Sequence, residues 1–330
     1  MPEDKLVSLI QSSISAREWF ISPKHASAYR LFNGFTEGFP ELSIDVYAKT
    51  GVIHNYSKNP QTISALIQQV ASTLIECLPW LSTIVIKARY AATQAEQNGT
   101  YLLGAKVNRQ IEENRVLYQI NPLLNQDSSF YLDTRNLRSW LKDNMSGKTV
   151  LNTFAYTGSL GIAALAGGAI SVEQLDINKL YLQFAKDSYA LNGFSGKVKY
   201  HIDDFWKAVK RLNREEQRFD CVILDPPFFT TNQSGTIDIS KGSKALINKL
   251  RPLINDDGYL ISVNNALFLS GADYVTQLEE IFSDGYLSLQ EIIPVSSDCV
   301  GYNVRTPYKV SPEPFNHPTK IAIIRVRRKQ

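Results

Sequence analysis

Four short motifs follow four successive apolar segments, and their residue types suit an adenosine-containing ligand. The first is Asn152-Thr-Phe-Ala-Tyr-Thr-Gly158, where a glycine and the start of a helix would present backbone N–H groups. The second is Asp176, an acid at a distance from Gly158 that suits a pair of ribose hydroxyls. The third is Asp204-Phe205, where the carboxylate could accept from an adenine amine and an aromatic neighbour could cover the ring.

The fourth motif, Asp225-Pro-Pro-Phe-Phe229, is the most distinctive. Its two prolines fix the backbone after a buried strand and remove two amide donors, which leaves a rigid rim. Each motif also has an ordinary structural explanation. Gly158 could form a tight turn, Asp176 or Asp204 could cap a helix, and the two phenylalanines could pack in a core. Four such motifs at four successive strand ends favour one shared site.

The glycine content of the first motif indicates which cofactor to expect. Residues 152–158 contain one glycine, whereas a dinucleotide pyrophosphate needs at least two for close approach of the backbone. A cofactor with adenosine but no phosphates fits better, and S-adenosylmethionine is the expected one. A nicotinamide-dependent oxidoreductase is the alternative, disfavoured by this loop and by the lack of a catalytic histidine near a strand end.

A strict alternation of strand-like and helix-like segments begins at Thr149 and would position these motifs. It predicts an α/β domain over residues 121–330 with a doubly wound parallel sheet covered on both faces. Ligands bind such sheets at the carboxyl ends of the strands. The predicted strands are Thr149–Phe154, Ser171–Leu175, Val198–His201, Phe219–Leu224, Tyr259–Val263, Leu287–Ile293 and Ile321–Val326. The predicted helices are Ser159–Leu165, Lys179–Leu191, Phe205–Leu212, Lys241–Leu250 and Tyr274–Phe282.

Residues 1–120 are predicted to form a small α+β domain that could recognise RNA or another substrate. Glycines and a proline punctuate Arg30–Tyr47, and the alternating apolar residues that follow them are typical of a strand after a turn. Val52–Tyr56 could return as the hairpin partner. Gln61–Leu78 has helical spacing, and Leu81–Lys87 and Leu117–Ile120 are predicted strands.

Composition excludes several classes of protein. The chain has 330 residues, 44% apolar and 20% charged, which is ordinary globular usage and excludes a disordered, collagen-like or coiled-coil chain. We find no apolar run long enough for a membrane span and no signal peptide. The three cysteines form no CxxC pair, and the four histidines show no zinc-binding spacing. The sequence therefore predicts a metal-free cytoplasmic protein.

Basic residues are concentrated at the end of the chain. The net charge is +3, but residues 303–330 alone carry seven basic residues and one acidic residue. This segment is either a polyanion-binding edge or a solvated face. Two basic groups are candidates for phosphate contacts: Arg325, Arg327, Arg328 and Lys329 at the last strand, and Lys87 with Arg89 in the small domain.

Together these motifs resemble the class I methyltransferases that modify bacterial 23S ribosomal RNA. The shared motifs are Val150–Gly158, Asp176, Asp204 and Asp225-Pro-Pro-Phe228. Asn125–Arg135 is similar to the "GQ-T-G-F-L-D-x-R" segment of that group. The resemblance covers roughly residues 28–330. It implies a Rossmann-like sheet of seven strands with a reversed last strand, and a methyl donor lying across the strand ends.

The resemblance and the strand-end positions together nominate the residues that would bind S-adenosylmethionine. They are Gln126, Tyr131, Asp133, Arg135, Asn152, Phe154, Tyr156, Thr157, Gly158, Asp176, Ile177, Asp204, Phe205 and Asp225.

Three departures from the group's pattern affect the expected chemistry. Ser129 replaces the usual glycine, which could shift that loop. We see no RNA-binding module of the PUA type before residue 28, so RNA affinity is expected to come from elsewhere. At the fifth strand end, Ser262-Val-Asn-Asn-Ala266 resembles the Ser-Asn-Asn of the 7-methylguanosine type. The Ser-Cys nucleophile of the 5-methylcytosine type is missing there.

Without that thiol, the sequence predicts methylation of a base nitrogen rather than a carbon. Carbon methylation of cytosine needs a covalent thiolate adduct, whereas a nitrogen lone pair attacks the methyl group directly. Guanine N7 is the first choice because it carries a lone pair and no proton. An exocyclic amine of guanine or adenine is the runner-up. The expected catalytic residues are Asp225, Pro226, Pro227, Phe228, Asn264 and Asn265.

Several alternatives remain open at this stage. The two asparagines could form only a turn. Thr230–Thr236 is a predicted polar loop that could be a lid or ordinary surface. The methyl acceptor could be a protein or a small molecule, or the chain could be a non-catalytic RNA module that binds the methyl donor. The sequence leaves the oligomeric state open, with a dimer among the alternatives.

Overall fold

A computed structural model describes residues 2–232, 235–241, 243–302 and 314–328. These residues divide into two compact units, one with residues 2–133 and 296–302, the other with residues 134–295 and 314–328 as far as they are described. This division lies after Asp133 rather than after residue 120, because residues 121–133 fold with the first unit. There Tyr47 Oη lies 3.5 Å from the carbonyl oxygen of Phe130. The rings of Tyr118 and Phe130 lie 5.1 Å apart.

The first unit is built on a five-stranded sheet in the order β1-β2-β3-β4-β5. Its helices are α1 (Pro2–Ala16), α2 (Gly34–Glu37), α3 (Ser64–Cys77) and α4 (Gln94–Asn98). Its strands are β1 (Ala28–Asn33), β2 (Leu42–Tyr47), β3 (Thr50–Asn55), β4 (Thr83–Ala88), β5 (Thr100–Leu103), β6 (Gln110–Glu113) and β7 (Val116–Gln119). Apolar side chains of α1, α3 and one sheet face form a single core. Sequence patterning predicted α3 and the β2–β3 hairpin, and the structure confirms both.

The opposite face of this sheet is polar yet buried. Arg30 Nε donates to Asp45 Oδ1 at 2.7 Å, and His54 Nε2 lies 3.0 Å from Asp45 Oδ2. Further along the same face, Lys87 Nζ donates to the carbonyl oxygen of Asn125. Burial lowers the pKa of Lys87 to about 8. This face therefore supports the segment that begins at Asn125.

The second unit contains a seven-stranded sheet in the order β10-β9-β8-β11-β14-β16-β15. Its strands are β8 (Thr149–Thr153), β9 (Ser171–Asp176), β10 (Lys197–Ile202), β11 (Phe219–Leu224), β12 (Phe229–Asn232), β13 (Gly235–Asp238), β14 (Ile254–Asn264), β15 (Leu287–Ile293) and β16 (Lys320–Val326). Its helices are α5 (Arg135–Asn144), α6 (Ser159–Ala166), α7 (Lys179–Asn192), α8 (Phe205–Arg214), α9 (Lys244–Leu250) and α10 (Gly271–Phe282). A short helix after β15, α11 (Ser297–Val300), belongs to the first unit.

The topology confirms the predicted fold class. Strands β8 to β11 and β14 pair in parallel, whereas β16 pairs antiparallel with both β14 and β15. The last strand of the chain is thus the reversed one. Apolar residues of the central strands and of α8, α9 and α10 form a continuous core beneath the sheet. Of the helices in the described part of the chain, none has the length and apolar character that a bilayer span requires.

The predicted polar loop Thr230–Thr236 is largely strand. Phe229–Asn232 pairs antiparallel with Gly235–Asp238, while Gln233 and Ser234 lie outside the described residues. Threonine has high strand propensity, and the antiparallel pairing satisfies backbone hydrogen bonds of this hairpin. The prediction of a loop, made from polarity alone, was therefore wrong. The hairpin follows directly from the Asp225-Pro-Pro motif.

Candidate active site at the strand ends

The strand order places the predicted motifs on one edge of the sheet. From β8 the chain runs outward through β9 and β10, and then returns to β11 and β14 on the other side of β8. The order therefore reverses between β8 and β11, and such switch points are where doubly wound sheets bind ligands. Asp176 is the last residue of β9, and Gly158, Asp204, Asp225 and Asn265 follow the carboxyl ends of the other four strands.

The carboxylate of Asp176 is the best defined element of this edge. Its Oδ2 accepts from Tyr156 N at 2.8 Å, and its Oδ1 accepts from Asn178 N at 2.8 Å. Burial raises the pKa of Asp176, and the two backbone N–H groups act in the opposite direction. Each carboxylate oxygen can accept more than one hydrogen bond, so the group fits a pair of ribose hydroxyls. Ile177 beside it is largely exposed and offers an apolar surface.

The loop after β8 turns sharply through left-handed backbone. Phe154, Tyr156 and Gly158 have φ angles of 53°, 50° and 78°. A Cβ at Gly158 would lie 2.4 Å from the Cβ of Ala185 on α7. The glycine therefore serves close helix packing and a left-handed turn. Thr157 is buried in the same loop, so the polar surface the loop presents is largely backbone.

Two buried side-chain amides, those of Asn152 and Gln174, hydrogen-bond to each other and to the loop after β8. Asn152 Nδ2 donates to Gln174 Oε1 at 2.8 Å, and Gln174 Nε2 donates to the carbonyl oxygen of Gly158 at 3.2 Å. Asn152 Oδ1 is buried and accepts no hydrogen bond from the residues that the structure describes. A Cβ at Gly161 would lie 2.3 Å from the Gln174 amide. Sequence analysis missed Gln174 and Gly161, although an amide within an apolar strand was a usable signal.

Asp204 acts as a helix cap in this structure. Its Oδ1 accepts from Trp206 N at 3.0 Å and Lys207 N at 3.2 Å at the start of α8. The buried ring of Phe205 stacks on Phe154 with centroids 4.7 Å apart. Asp204 therefore caps α8, which was the structural alternative for this residue. Phe205 packs against Phe154 in the loop after β8.

The Asp225-Pro-Pro-Phe motif presents its aromatic residues outward. Asp225 is half-buried and Pro226 is buried, whereas Pro227, Phe228 and Phe229 are exposed. The carbonyl oxygen of Phe228 accepts from Ile239 N at 3.2 Å, which joins the motif to the end of the β12–β13 hairpin. Core packing, the alternative for these phenylalanines, is not what the structure shows.

The two asparagines after β14 have different environments. Asn264 is fully buried: its Nδ2 donates to the Ile239 carbonyl oxygen at 3.3 Å, and its Oδ1 accepts from Ala266 N at 3.0 Å. Asn265 is only partly buried, and its Oδ1 has no hydrogen-bond partner among the described residues. Asn264 therefore shapes the loop, whereas the buried Oδ1 of Asn265 is left without a partner in the described part of the chain.

Lys320 lies opposite Asn264 and was missed by sequence analysis. The two residues pair in the antiparallel register of β14 and β16. Lys320 Nζ donates to the carbonyl oxygen of Ala266 at 3.0 Å and to that of Pro318. Burial lowers the pKa of Lys320 to about 8. A buried lysine therefore holds the loop that carries Asn265.

Four further predicted cofactor residues precede β8 in the chain. Gln126, Tyr131 and Asp133 belong to the first unit, whereas Arg135 is the buried first residue of α5 in the second. Gln126 Nε2 donates to the carbonyl oxygen of Gln97, and Tyr131 is exposed. The substituted loop residue, Ser129, has a φ of 65°. It therefore keeps a conformation that favours glycine.

The segment at the end of β14, Ser262-Val-Asn-Asn-Ala266, contains no cysteine. Cys221 is buried within β11, where burial raises the pKa of its thiol. Cys299 is buried in the first unit, and Cys77 is exposed at the end of α3. No group of three or more His, Cys, Asp or Glu side chains in the described ranges is arranged to hold a metal ion.

The predicted phosphate-contacting basic residues differ in burial and in pairing. Lys87 is fully buried, so the prediction that its side chain contacts a phosphate is wrong. Arg325 Nε and an Arg327 guanidinium nitrogen lie 3.5 and 3.3 Å from Asp257 Oδ1, which offsets part of their charge. Arg89 is exposed, whereas Lys329 lies outside the described residues.

Comparison with known proteins gives concordant matches. A family described as S-adenosylmethionine-dependent methyltransferase matches residues 30–286. "Ribosomal RNA large subunit methyltransferase I" of Shewanella denitrificans is 30% identical over 258 residues, covering 77% of this chain and 64% of the relative. "Ribosomal RNA large subunit methyltransferase K/L" of Shewanella frigidimarina is 28% identical, covering 78% of this chain and 36% of the relative. The chain thus spans less than two thirds of these curated relatives.

Solved structures share the fold. One from Streptococcus mutans, provisionally described as a SAM-dependent methyltransferase, gives a TM-score of 0.83 at 24% identity. That match covers 98% of this chain and 81% of the other. Another, SMU.776, provisionally described as a methyltransferase and complexed with SAH, gives a TM-score of 0.84 at 24% identity, covering 98% and 82%.

Proposed function

We propose that this chain, which belongs to the S-adenosylmethionine-dependent methyltransferases, methylates a ring nitrogen of a base in ribosomal RNA. The observation that carries the proposal is the pair of strand ends at β11 and β14. The end of β11 supplies the Asp225 carboxylate and the exposed ring of Phe228. The end of β14 supplies Asn265, whose buried Oδ1 has no hydrogen-bond partner among the described residues. The names of the curated relatives support ribosomal RNA as the substrate class.

The chemistry of the edge suits S-adenosylmethionine. When bound, this cofactor supplies an electrophilic methyl group on a positively charged sulfur. Asp176 would hold the ribose hydroxyls, because its two oxygens are already oriented by the N–H groups of Tyr156 and Asn178. Ile177 offers an exposed apolar surface, and Phe205 packs beneath the β8 loop, so these two residues would bound the adenine.

The acceptor side suits guanine in particular. Guanine presents N1–H and N2–H donors on its Watson–Crick edge, and Asp225 and Asn265 Oδ1 offer acceptors at neighbouring strand ends. Holding that edge would leave N7 on the opposite side of the base, with its lone pair available. Phe228 would stack on the extruded base. Because N7 carries no proton, positioning and exclusion of water supply the catalysis.

The deciding experiment uses purified protein and large-subunit rRNA from a strain lacking it. Methyl incorporation followed by borohydride and aniline treatment cleaves the RNA at 7-methylguanosine. A cleavage site that depends on the protein supports the proposal. Methylated rRNA without cleavage would instead indicate the exocyclic-amine alternative, in which Asp225 accepts an N–H bond and localises the amine lone pair.

We place the reaction in the cytoplasm, which the three free cysteines support. A protein or small-molecule acceptor remains the second candidate. It would be favoured if mass spectrometry of rRNA nucleosides from the deletion strain showed no change.

A further inference from the structure

The turn that follows Asn265 exposes two large apolar residues at the substrate edge. Phe268 is 95% exposed, more than any other large apolar residue that the structure describes, and Leu267 is 65% exposed. They are the two central residues of a β-turn closed by Leu269 N donating to the Ala266 carbonyl oxygen at 3.3 Å. Such positions usually hold glycine, proline, asparagine, aspartate or serine, which avoid exposing apolar surface.

This turn is rigidly anchored on both sides. On the strand side, Ala266 is buried, its N–H donates to Asn264 Oδ1, and its carbonyl oxygen also accepts from Lys320 Nζ at 3.0 Å. On the helix side, Ser270 Oγ accepts from Asp273 N at 3.0 Å and caps α10. Leu269 packs against the core of the second unit. Because these contacts fix both ends of the turn, the side chain of Phe268 stays exposed to solvent and does not fold back onto the protein.

We propose that Phe268 is an RNA-stacking residue, which rests on the proposed function of RNA methylation. It enters the RNA beside the target nucleotide and stacks on the neighbouring base, in the space that the target base leaves. Extruding a base costs its stacking free energy, and inserted apolar side chains replace part of it. The position fits this role, because Phe268 is three residues beyond Asn265, the residue assigned to the target base. Leu267 lies beside it and extends the apolar contact.

The test compares Phe268→Ala, Phe268→Trp and a matched control, Ile170→Ala. Ile170 is also exposed, at 57%, but it precedes β9 and therefore lies at the amino end of the strands. Single-turnover methyl transfer to protein-free large-subunit rRNA and S-adenosylmethionine affinity are measured for each variant. Thermal unfolding and sedimentation mass are recorded alongside.

Phe268→Ala is expected to lower the transfer rate about tenfold or more, as for loss of one base-stacking contact. Cofactor affinity and unfolding temperature should not change, because the side chain is exposed. Phe268→Trp should retain the rate, since an indole stacks equally well, and Ile170→Ala should match the wild type.

The outcomes separate this inference from the function on which it rests. Wild-type protein that methylates rRNA while Phe268→Ala does so at the same rate would overturn the stacking role alone. An unchanged rate together with an altered sedimentation mass would show that the turn contacts protein, and would also overturn it. Wild-type protein that transfers no methyl group to rRNA would overturn the proposed function and this inference with it.

Discussion

The backbone N–H of Tyr156 donates a 2.8 Å hydrogen bond to Oδ2 of Asp176, and so ties the loop after β8 to the end of β9. The same carboxylate accepts from Asn178 N at the start of the next loop. One side chain thus fixes the loops at two neighbouring strand ends, which orients it before any ligand arrives. Pre-oriented acceptors lose less entropy when a ligand binds.

Asp176→Ala should weaken S-adenosylmethionine binding by about 1.5–3 kcal/mol, as expected for lost hydrogen bonds to a charged group. Calorimetry measures the affinity, and circular dichroism checks that the fold is kept. Asp176→Asn is the matched variant: it keeps the size of the side chain and one acceptor, so its loss should be smaller. Unchanged affinity in a folded Asp176→Ala protein would contradict the assignment.

The two neighbouring asparagines should respond differently to alanine. Asn265→Ala should lower the methyl-transfer rate about 10- to 100-fold, because the base loses an orienting contact, and should leave cofactor affinity unchanged. Asn264→Ala should lower the free energy of unfolding by about 1–3 kcal/mol, because Ala266 N and the Ile239 carbonyl lose their buried partner. Equal effects of the two substitutions on transfer and stability would rule out this division of roles.

A cysteine-free variant should retain methyl transfer. Alanine at Cys77, Cys221 and Cys299 removes every thiol in the sequence, and alanine suits the buried strand position of Cys221 better than serine. The variant's transfer rate, corrected for any loss of folded protein, should match the wild type. A covalent complex trapped with RNA containing 5-fluorocytosine would show that a thiolate takes part after all.

Arg89 and Lys87 should differ in their effect on RNA binding. Arg89 is exposed, so Arg89→Ala should reduce the slope of log K against log salt by about one unit if it contacts a phosphate. Lys87→Met should leave the slope unchanged and lower the unfolding temperature, because Lys87 is buried and donates to the Asn125 carbonyl oxygen. Titrations at several salt concentrations decide, and a reduced slope in Lys87→Met would contradict its buried position.

Lys320 should make stability depend on pH in the alkaline range. Burial lowers its pKa to about 8 in the folded protein, from the usual 10.5 of a lysine side chain. Between these values the unfolded chain binds more protons, so the free energy of unfolding should rise as the pH increases through this window. Lys320→Met should lack this rise. Denaturant unfolding at pH 7, 8.5 and 10 compares the two proteins, and parallel pH dependences would show that Lys320 does not titrate there.

Local sequence patterns were enough to predict the doubly wound domain. Alternating strand and helix periodicity after Thr149 predicted the sheet, and the four motifs at its strand ends resemble those of class I methyltransferases. The family match and the seven-stranded sheet with its reversed last strand confirm that prediction. These features were readable because each depends on residues close together in the chain: a strand, its following turn and the next helix.

The roles of individual side chains depended on distant partners, so only the tertiary structure decided them. Asn264 and Asn265 are adjacent in sequence, yet Asn264 is buried against the Ile239 carbonyl and shapes the loop. Asn265 has an acceptor to which no residue in the described ranges donates. From the sequence Lys87 was predicted to be a surface cation, but in β4 it is buried and donates to the Asn125 carbonyl oxygen. Periodicity predicts which residues form an element. Whether a polar group meets solvent, a ligand or a buried carbonyl depends on which other elements pack against it.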